Sequence, residues 1–353
     1  MSIRSLTVWL HRWAGLAAGL IILVLAATGG IMAFAEEMER ATSPASGRAE
    51  NTFGDSIPLD TLVAKVLVQN AGKQVLGVRM PGKSDGSLKV VTSDRQTYHL
   101  DPRTGETLAV RPLNAGFMRA ITELHLNLML QKTGSWIVRV ATLLTLALAL
   151  SGLWLWWPRQ ILRITPGSNR WRLTFDLHNI AALYSSLFLV LVTVTGTTMA
   201  FGRTADAAIR RWTGAPAAES PPPSKPAHGA ISIPLSQVVR TAEGALPGAS
   251  VVSFGIPPGR RAPYRVQMKF PEDHTPGGRS VVYLDQFSGE VSRIDSTRGL
   301  QPGNWYVAFQ HSLHTGEIFG LPTKVLASLV CLALALQVLS GFVLWWRPKA
   351  RRT

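Results

Sequence analysis

Four apolar stretches, each long enough to cross a lipid bilayer, constrain the fold of this 353-residue chain more than any other feature. They occupy residues 14–35, 136–157, 180–201 and 325–346, and only Thr and Ser interrupt the third. A helix of about 20 residues rises ~30 Å, which is the thickness of the hydrocarbon core. Because 46% of the residues are hydrophobic and only 16% are charged, the composition also suits a membrane protein. The sequence therefore predicts four transmembrane helices in a lipid bilayer.

Basic residues in the short connections predict the orientation of these helices, since Lys and Arg resist translocation. Residues 159–172 carry four arginines, and residues 347–352 carry four Lys or Arg. We therefore expect a multi-pass membrane protein with both termini in the cytoplasm. Residues 36–135 and 202–320 would lie outside, in the periplasm if the cell has two membranes. This topology accounts for much of the net charge of +15, so no nucleic-acid partner is needed to explain it.

The first apolar stretch also has features of a cleavable signal peptide. Arg4 supplies a basic start, and Ala33-Phe34-Ala35 fits the small-x-small cleavage rule. The apolar run is too long for a signal peptide, however, and a copy of the segment recurs inside the chain at 177–201. We therefore expect the first span to remain in the mature protein.

The chain contains one pattern twice. Residues 10–34 align without a gap with residues 177–201, because Leu-His opens both segments, Thr-Gly falls late in both and Met-Ala-Phe closes both. Three further pairs recur in the same order: SIPL at 56–59 and 232–235, YHLDPRTGE at 98–106 and VYLDQFSGE at 282–290, and Ser-Gly at 151–152 and 340–341. Such repeats predict duplicated units related by a pseudo-two-fold axis along the membrane normal. Residues at matching positions are then expected to face each other.

Each half of the sequence predicts a span, an external domain and a second span. The segments VLGVRM, SLKVVTS and TYHLDP in the first half, and SVVSFGI, YRVQMKF and SVVYLD in the second, alternate apolar and polar residues as strands do. The predicted fold class is a membrane α-helical protein with four transmembrane helices and two periplasmic α+β domains. Its predicted parts are transmembrane helix 1 at 1–35, periplasmic domain 1 at 36–116, an interfacial segment with helix 2 at 117–158, a cytoplasmic loop at 159–172, helix 3 at 173–202, a linker with periplasmic domain 2 at 203–300, an interfacial segment with helix 4 at 301–347, and a cytoplasmic tail at 348–353.

Together these motifs resemble the PepSY-associated transmembrane helix family. The resemblance rests on the two Leu-His helix starts, the Asp-x-x-x-Gly-Glu hairpins, the Leu-His…Gly segments before the second and fourth spans, and the Ser-Gly…Trp-Trp ends of those spans. It covers nearly the whole chain. It implies that the two external domains are PepSY-like and that the chain is similar to inner-membrane reductases of periplasmic ferric siderophores. Relatives with other roles share these motifs, so they specify the architecture better than the substrate.

Four of the eight histidines form two pairs in the repeat: His11 matches His178, and His125 matches His314. A neutral imidazole is a strong axial ligand for haem iron, and a haem between two helices takes one ligand from each side. We therefore predict two b-type haems, one held by His11 and His178 near the cytoplasmic surface and one held by His125 and His314 near the outer surface. The alternative for each residue is an interfacial histidine without a ligand role. The single cysteine, Cys331, excludes both a disulfide and a covalently attached c-type haem.

His311 has no counterpart in the first half, where Thr122 stands at the matching position. It precedes His314 by three residues and Glu317 by six, so one helical face could hold a metal ion between them. If Thr315-Gly316 ends the helix, His311 is instead a solvent-facing histidine. The remaining histidines carry no signal of function: His99, His228 and His274.

The resemblance implies an oxidoreductase that moves electrons across the membrane, reduces a periplasmic ferric siderophore and releases Fe(II). Siderophore oxygens are hard ligands, which hold Fe(II) far less well than Fe(III). The sequence has no dinucleotide or flavin motif, so the electron donor would be a cytoplasmic protein or a quinol. Two other classes stay open: a PepSY-type peptide-binding or regulatory membrane protein without redox activity, and a quinol-linked b-type cytochrome that serves another acceptor. No catalytic side chain, particular siderophore or oligomeric state follows from the sequence.

Overall fold

The computed structural model divides the chain into two compact units, each built from separate segments. The helical unit contains Met1–Ala35, Phe117–Ile209 and Phe309–Thr353, and the sheet unit contains Glu36–Gly116 and Arg210–Ala308. The structure describes residues 2–42, 57–82, 86–113, 116–157, 163–217, 219–226, 229–273, 275 and 277–346. Arg159, the basic residues at 347–352, His228 and His274 lie outside the described residues.

The described residues form ten α-helices and eight strands. The helices are α1 (Ile3–Met32), α2 (Ala35–Thr42), α3 (Leu59–Gln69), α4 (Phe117–Asn127), α5 (Gln131–Trp156), α6 (Arg170–Phe201), α7 (Arg203–Thr213), α8 (Leu235–Ala245), α9 (Pro302–Thr315) and α10 (Leu321–Trp345). The strands are β1 (Val75–Arg79), β2 (Leu88–Thr92), β3 (Gln96–Leu100), β4 (Thr107–Pro112), β5 (Ser250–Gly255), β6 (Tyr264–Lys269), β7 (Ser280–Leu284) and β8 (Val291–Asp295). A short 3₁₀ turn, Glu317–Phe319, separates α9 from α10.

Helices α1, α5, α6 and α10 correspond to the four apolar stretches. They contain 30, 26, 32 and 25 residues, and each is long and apolar enough to cross a membrane. Two of them begin at capping residues: the Ser2 side chain accepts a hydrogen bond from the Ser5 N–H, and the Asn169 side chain accepts one from the Arg172 N–H. The fold is therefore that of a multi-pass membrane protein with a separate α+β part.

The four long helices pack in a closed ring. Helices α1 and α6 each contact α5 and α10, so α1 and α6 lie diagonally across the ring, and α4 packs against α1 and α5. Small residues allow the close approach, as in other membrane helix pairs. A Cβ atom added at Gly19 in α1, for example, would lie 2.8 Å from the Phe342 ring in α10.

The sheet unit is built around one antiparallel sheet of eight strands in the order β4-β3-β2-β1-β5-β6-β7-β8. Strands β1 and β5 pair at its centre, with Val78 opposite Phe254, so strands from both halves of the chain form one sheet. The strand order outward from this junction is the same on both sides. Six of the strands lie where the sequence predicts them, whereas β4 and β8 at the two edges are additional.

Helices α3 and α8 cover one face of this sheet. Alternate residues of the strands point toward them, and the resulting core includes Leu62, Val66, Val78, Val90, Tyr98, Val238, Ala242, Phe254, Val266 and Val282. The two helices are also joined by a polar contact, because the Asp60 carboxylate accepts hydrogen bonds from the backbone N–H groups of Leu235 and Ser236. A carboxylate at this position stabilises the N-terminal end of α8.

The two Asp-x-x-x-Gly-Glu segments form turns between the last two strands of each half of the sheet. Asp101 Oδ1 accepts backbone N–H groups two and three residues ahead, and Asp285 Oδ1 does the same. Gly105 and Gly289 supply the positive φ angles of 65° and 75° that these turns require. The aspartates are therefore turn residues, as the sequence indicates.

Asp285 is the more deeply buried of these two aspartates, with 7% of its surface exposed. Burial alone raises the pKa of its carboxyl group, but the N–H groups of Ser288, Lys225 and Phe287 donate to the carboxylate. The net effect is a pKa below the usual range of an aspartate. The charged form of Asp285 therefore contributes to the stability of the sheet unit at neutral pH.

Candidate functional site

His11 and His178 meet across the helical unit. They lie in α1 and α6, the two diagonal helices, and their ring centres are 6.5 Å apart with an angle of 86° between the ring planes. Two metal–nitrogen bonds of about 2 Å, with ~1.2 Å from each nitrogen to its ring centre, would separate the ring centres by ~6.4 Å. We call these two residues the span pair. Its spacing accommodates one metal atom between the rings.

Serine hydroxyls hold both imidazoles of the span pair. His11 Nδ1 lies 2.8 Å from Ser151 Oγ, and His178 Nδ1 lies 2.8 Å from Ser340 Oγ. Each serine hydroxyl donates its own proton to a carbonyl of its helix, that of Leu148 in one case and of Leu336 in the other. While the serine keeps that bond, its oxygen accepts from the imidazole, so that Nδ1 carries the ring proton and Nε2 keeps its lone pair.

His125 and His314 form a second pair, with ring centres 6.3 Å apart and ring planes at 59°. They lie in the short helices α4 and α9, which precede α5 and α10, and we call them the short-helix pair. His125 Nδ1 lies 2.9 Å from Thr28 Oγ1. His314 Nδ1 lies 2.9 Å from the carbonyl oxygen of Val192 and 3.2 Å from Thr195 Oγ1. Because a carbonyl can only accept, His314 also carries its proton on Nδ1.

Thr28 resembles the serines in its bonding. Its hydroxyl donates to the carbonyl oxygen of Val24 at 2.7 Å, so its oxygen accepts from His125 Nδ1. With these bonds in place all four histidines have the same tautomer, in which Nε2 is the nitrogen that can bind a metal. Orientation of a ligating imidazole through its other nitrogen is the usual arrangement in metal sites.

A glycine lies beside each imidazole. The four glycines follow directly after the four hydroxyl residues, in the dipeptides Thr28-Gly29, Ser151-Gly152, Thr195-Gly196 and Ser340-Gly341, which we call the hydroxyl–glycine dipeptides. A Cβ atom added at these glycines would lie 3.3, 3.5, 2.9 and 3.8 Å, respectively, from the Cε1 atom of the adjacent histidine. The glycines therefore leave the space that the imidazole edges occupy.

The hydroxyl–glycine dipeptides are the part of the site that the sequence prediction missed. They are visible in the repeat as Thr-Gly late in the first and third spans and Ser-Gly late in the second and fourth. Their recurrence at fixed offsets was the available signal. Their contacts with the histidines follow only from the packing of the helices.

The two pairs lie at opposite ends of the four-helix ring. Thr28, which contacts the short-helix pair, follows His11 by 17 residues on α1, and Thr195 follows His178 by 17 residues on α6. At 1.5 Å per residue, each separation is about 26 Å along the helix. This distance is most of the thickness of a hydrocarbon core.

The short-helix pair is neutral at pH 7. Burial lowers the pKa of His314 to about 4, and the nearby His125 lowers it in the same direction. Burial also lowers the pKa of His125, although the Leu25 carbonyl opposes this effect. Because a neutral imidazole has the lone pair that a metal needs, both residues are in the ligand-competent state at neutral pH.

The turns that follow the short-helix pair contain unusual backbone. In the first turn, between α4 and α5, three residues that are not glycine have positive φ angles: Leu128 at 52°, Met129 at 59° and Gln131 at 52°. In the second turn, between α9 and α10, the positive φ angles belong to Gly316 and Gly320, at 78° and 71°. A positive φ strains any residue with a Cβ atom.

His311 is not brought into either pair. Its side chain is 48% exposed, and its Nδ1 lies 4.0 Å from Glu317 Oε2. Helix α9 ends at Thr315, one residue before Gly316. Within the described ranges, no group of three or more His, Cys, Asp or Glu residues is close enough to bind a metal ion. The metal role of His311 stays a prediction.

One known protein family matches nearly all of the chain. The model of the PepSY-associated TM region matches residues 8–347, a range that includes all four long helices except the first residues of α1. No curated protein matches the sequence.

Proposed function

The chain belongs to the PepSY-associated transmembrane family, and from this membership and its facing histidines we propose that it is a haem-binding membrane oxidoreductase. The span pair and the short-helix pair would each hold one b-type haem. The observation that carries this proposal is that all four histidines have Nδ1 bound to the protein and Nε2 available, at ring-centre distances of 6.5 and 6.3 Å within the pairs.

The residues of each site fit a bis-histidine haem. The hydroxyl groups and the Val192 carbonyl fix the tautomer, and the glycines of the hydroxyl–glycine dipeptides keep the imidazole edges free of side chains. The two histidines of each pair would hold the haem, which suits a role in electron transfer. The haem would supply reversible one-electron chemistry, and the chain would supply its position and its surroundings.

Transfer of electrons across the membrane is supported by the placement of the pairs. They are about 26 Å apart along the helices, at opposite ends of the ring. Arg4 and Arg12 in α1, and Arg170 and Arg172 in α6, lie at the end that carries the span pair. By the positive-inside rule this end would be cytoplasmic, with both termini inside and the membrane a bacterial inner membrane.

We propose further that the sheet unit is periplasmic and consists of two PepSY-like domains that arose by duplication. The identical strand order on the two sides of the β1–β5 junction supports this view. So do the equivalent helices α3 and α8 and the equivalent turns at Asp101 and Asp285.

The proposed substrate is a ferric siderophore, and the proposed products are Fe(II) and the free chelator. This substrate class rests on the resemblance to siderophore reductases, and the electron donor would be a cytoplasmic protein or a quinol. A quinol-linked cytochrome for a different acceptor has the same sites and differs only in its partners. A PepSY-type regulatory protein needs no haem, and the paired, oriented imidazoles argue against it.

The test is a spectrum of the full-length protein purified in detergent. We expect a red protein with the absorption of low-spin b-type haem, sharpened by dithionite, and two haems per chain in a pyridine haemochrome assay. Addition of a ferric siderophore to the reduced protein under argon should reoxidise it, with Fe(II) trapped by ferrozine. A colourless protein that cannot be loaded with haemin would contradict the proposal and favour the regulatory alternative.

A further inference from the structure

The face of the sheet opposite α3 and α8 is rich in basic residues. The strand register places six of them on that face: Arg79, Lys89, Arg111, Arg265, Lys269 and Arg293. Among the strand residues of the same face, Asp295 is the acidic one, and it is paired with Arg293 at 2.9 Å. The face therefore has a cationic centre and a neutralised edge.

Two glycines lie at the centre of this face. Gly77 in β1 is directly opposite Gly255 in β5, at the junction between the two halves of the sheet. Val91 flanks Gly77 on β2, and Arg265 flanks Gly255 on β6. With strands about 4.8 Å apart, this row is ~14 Å long, and its middle is bare backbone. Glycine pairs of this kind permit a ligand to approach the backbone closely.

Basic side chains surround the bare backbone. Arg79 is on the neighbouring row of β1, with Lys89 beside it on β2 and Ser253 beside it on β5. Arg79 and Arg265 are exposed, and the side chain of neither makes an ion pair or a hydrogen bond with any residue that the structure describes. Two strand spacings and two residues of rise separate their Cα atoms by ~12 Å, which two extended arginine side chains can bridge onto one ligand.

Steric demands of the fold explain only one of the two glycines. A Cβ atom at Gly77 would lie 3.1 Å from the Phe254 carbonyl oxygen, which is a tight contact. A Cβ atom at Gly255 would meet only the Leu76 carbonyl oxygen at 3.7 Å, an ordinary van der Waals distance. Gly255 is therefore not required by the packing of the sheet, although glycine is unfavourable in a strand.

We propose that this patch, formed by Gly77, Arg79, Lys89, Gly255 and Arg265, binds an anionic metal chelate. The ligand class rests on the proposed function, since a ferric siderophore would be the substrate. Chelators that bind Fe(III) through catecholate or carboxylate oxygens form complexes with net negative charge, which match the cations of the patch. The row through Gly77 and Gly255 is about 14 Å long and lies below the surrounding side chains, so a compact solute could reach it. A flat bilayer surface would contact the protruding side chains instead.

Binding can be measured without any redox step by use of gallium(III), which has the coordination chemistry of Fe(III) but is not reduced by haem. The full-length protein is placed in phosphatidylcholine nanodiscs and titrated calorimetrically with an anionic gallium tricatecholate and with a neutral gallium trihydroxamate of similar size. We expect the anionic complex to bind more tightly and its affinity to fall as salt is added.

Three variants test the patch. The double variant Arg79→Gln, Arg265→Gln removes both exposed guanidinium groups and should weaken binding of the anionic complex about tenfold or more. Gly255→Val fills the floor with a residue that strands favour and should also weaken binding. Arg240→Gln is the matched control, because Arg240 is an exposed arginine of α8, on the covered side of the sheet. Its affinity should stay within about twofold of the parent protein.

Several outcomes would overturn the inference. Unchanged affinity in the double variant, or equal binding of the neutral and anionic complexes, would contradict a site of this chemistry. If the protein bound phosphatidylglycerol vesicles through Arg79 and Arg265 but not the anionic chelate, the patch would be a lipid-binding surface instead. A haem-free protein that binds the chelate would contradict the proposed function alone, whereas siderophore reduction with no binding loss in the double variant would contradict the patch alone.

Discussion

The first half of the chain, residues 3–157, and the second half, residues 170–346, hold their histidines alike but build the next turns differently. In both halves the span histidine contacts a Ser-Gly dipeptide, and the short-helix histidine contacts a Thr-Gly dipeptide. The turns after His125 and His314 have a similar backbone course, but their glycines lie at different positions. This contrast separates what the site requires from what the fold can vary.

The glycines of the two turns lie on opposite sides of one close contact. In the first turn, a Cβ atom at Gly134 would overlap the Asn127 carbonyl oxygen. In the second turn, Gly316 matches Asn127 and Thr323 matches Gly134 at the offset of 189 that relates His125 to His314. There a Cβ atom at Gly316 would overlap the Thr323 carbonyl oxygen. The same two backbone positions approach closely in both halves. The first half has its glycine at the second of these positions, and the second half has it at the first.

Backbone strain is also divided unequally. Gln131 and Gly320 match at the same offset, and both have positive φ angles, 52° and 71°. Gln131 therefore adopts, with a side chain, the same left-handed conformation that Gly320 adopts without one. A left-handed residue with a Cβ atom costs about 1–2 kcal/mol, so the first turn is the more strained of the two.

The strongest test of the similarity between the halves is to remove the histidines one at a time. We expect His11→Ala and His178→Ala each to lose the haem of the span pair, and His125→Ala and His314→Ala each to lose the other. Haem content should fall from two to one per chain, as measured by pyridine haemochrome. His311→Ala is the control and should keep both haems. If all four variants retained two haems, neither pair would be a ligand set.

The difference between the turns is tested by substitutions at their glycines. Gly134→Ala should destabilise the helical unit by about 3 kcal/mol, because its Cβ atom collides with the Asn127 carbonyl. Gly320→Ala should cost about 1–3 kcal/mol through backbone strain alone. Gln131→Gly should be neutral or slightly stabilising. The measurement is thermal unfolding in detergent.

Gly244→Ala provides the control for these glycine substitutions. Gly244 lies in α8, and a Cβ atom there would meet no atom within 4 Å. It should stabilise the protein by up to about 1 kcal/mol, as expected for a helix position. If Gly134→Ala and Gly244→Ala changed the thermal stability equally, the close backbone contact after His125 would not require a glycine at position 134.

The two serine hydroxyl groups should matter alike within the span pair. His11 Nδ1 and His178 Nδ1 each lie 2.8 Å from a serine Oγ. Ser151→Ala and Ser340→Ala should therefore each weaken haem binding about 10–100-fold. The rate of haem transfer to an excess of apo-globin would measure this. Ser186→Ala should leave that rate unchanged, because the Ser186 hydroxyl donates to the Leu183 carbonyl. Identical rates in Ser151→Ala and the parent would rule out orientation by this hydroxyl.

The smallest expected difference lies in the turns of the sheet unit. Asp285→Ala should cost about 1–2 kcal/mol at pH 7, more than Asp101→Ala, because Asp285 is buried and also accepts from the Lys225 N–H. The pKa of Asp285 is lowered in the folded state, so its contribution is complete above the usual aspartate pKa of about 4. It should disappear as the pH falls through the lowered folded value. Unfolding midpoints of both variants between pH 7 and pH 3 would show this, and a constant difference would contradict it.

The sequence predicts the four long helices well, and it singles out the histidines that meet in the structure, whose ligand role stays a prediction. The apolar stretches have the length of a bilayer, and Leu-His recurs at matching positions, so α1, α6 and their histidines follow from local pattern. Strands β4 and β8 were missed because TLAVRP and VSRID are short and mix charged residues or proline with apolar ones. The contact between His11 and Ser151 joins residues 140 positions apart, and no local pattern encodes such a contact.

The junction between β1 and β5 has a consequence for the order of events during biosynthesis. Gly77 pairs with Gly255, which is translated 178 residues later. At about 5–20 residues per second, the first four strands would wait roughly 10–35 s with the edge of β1 unpaired. An unpaired edge readily accepts a strand from another chain. A chaperone that shields this edge, or rapid synthesis of the second half, would then decide how much of the newly made protein reaches its native pairing.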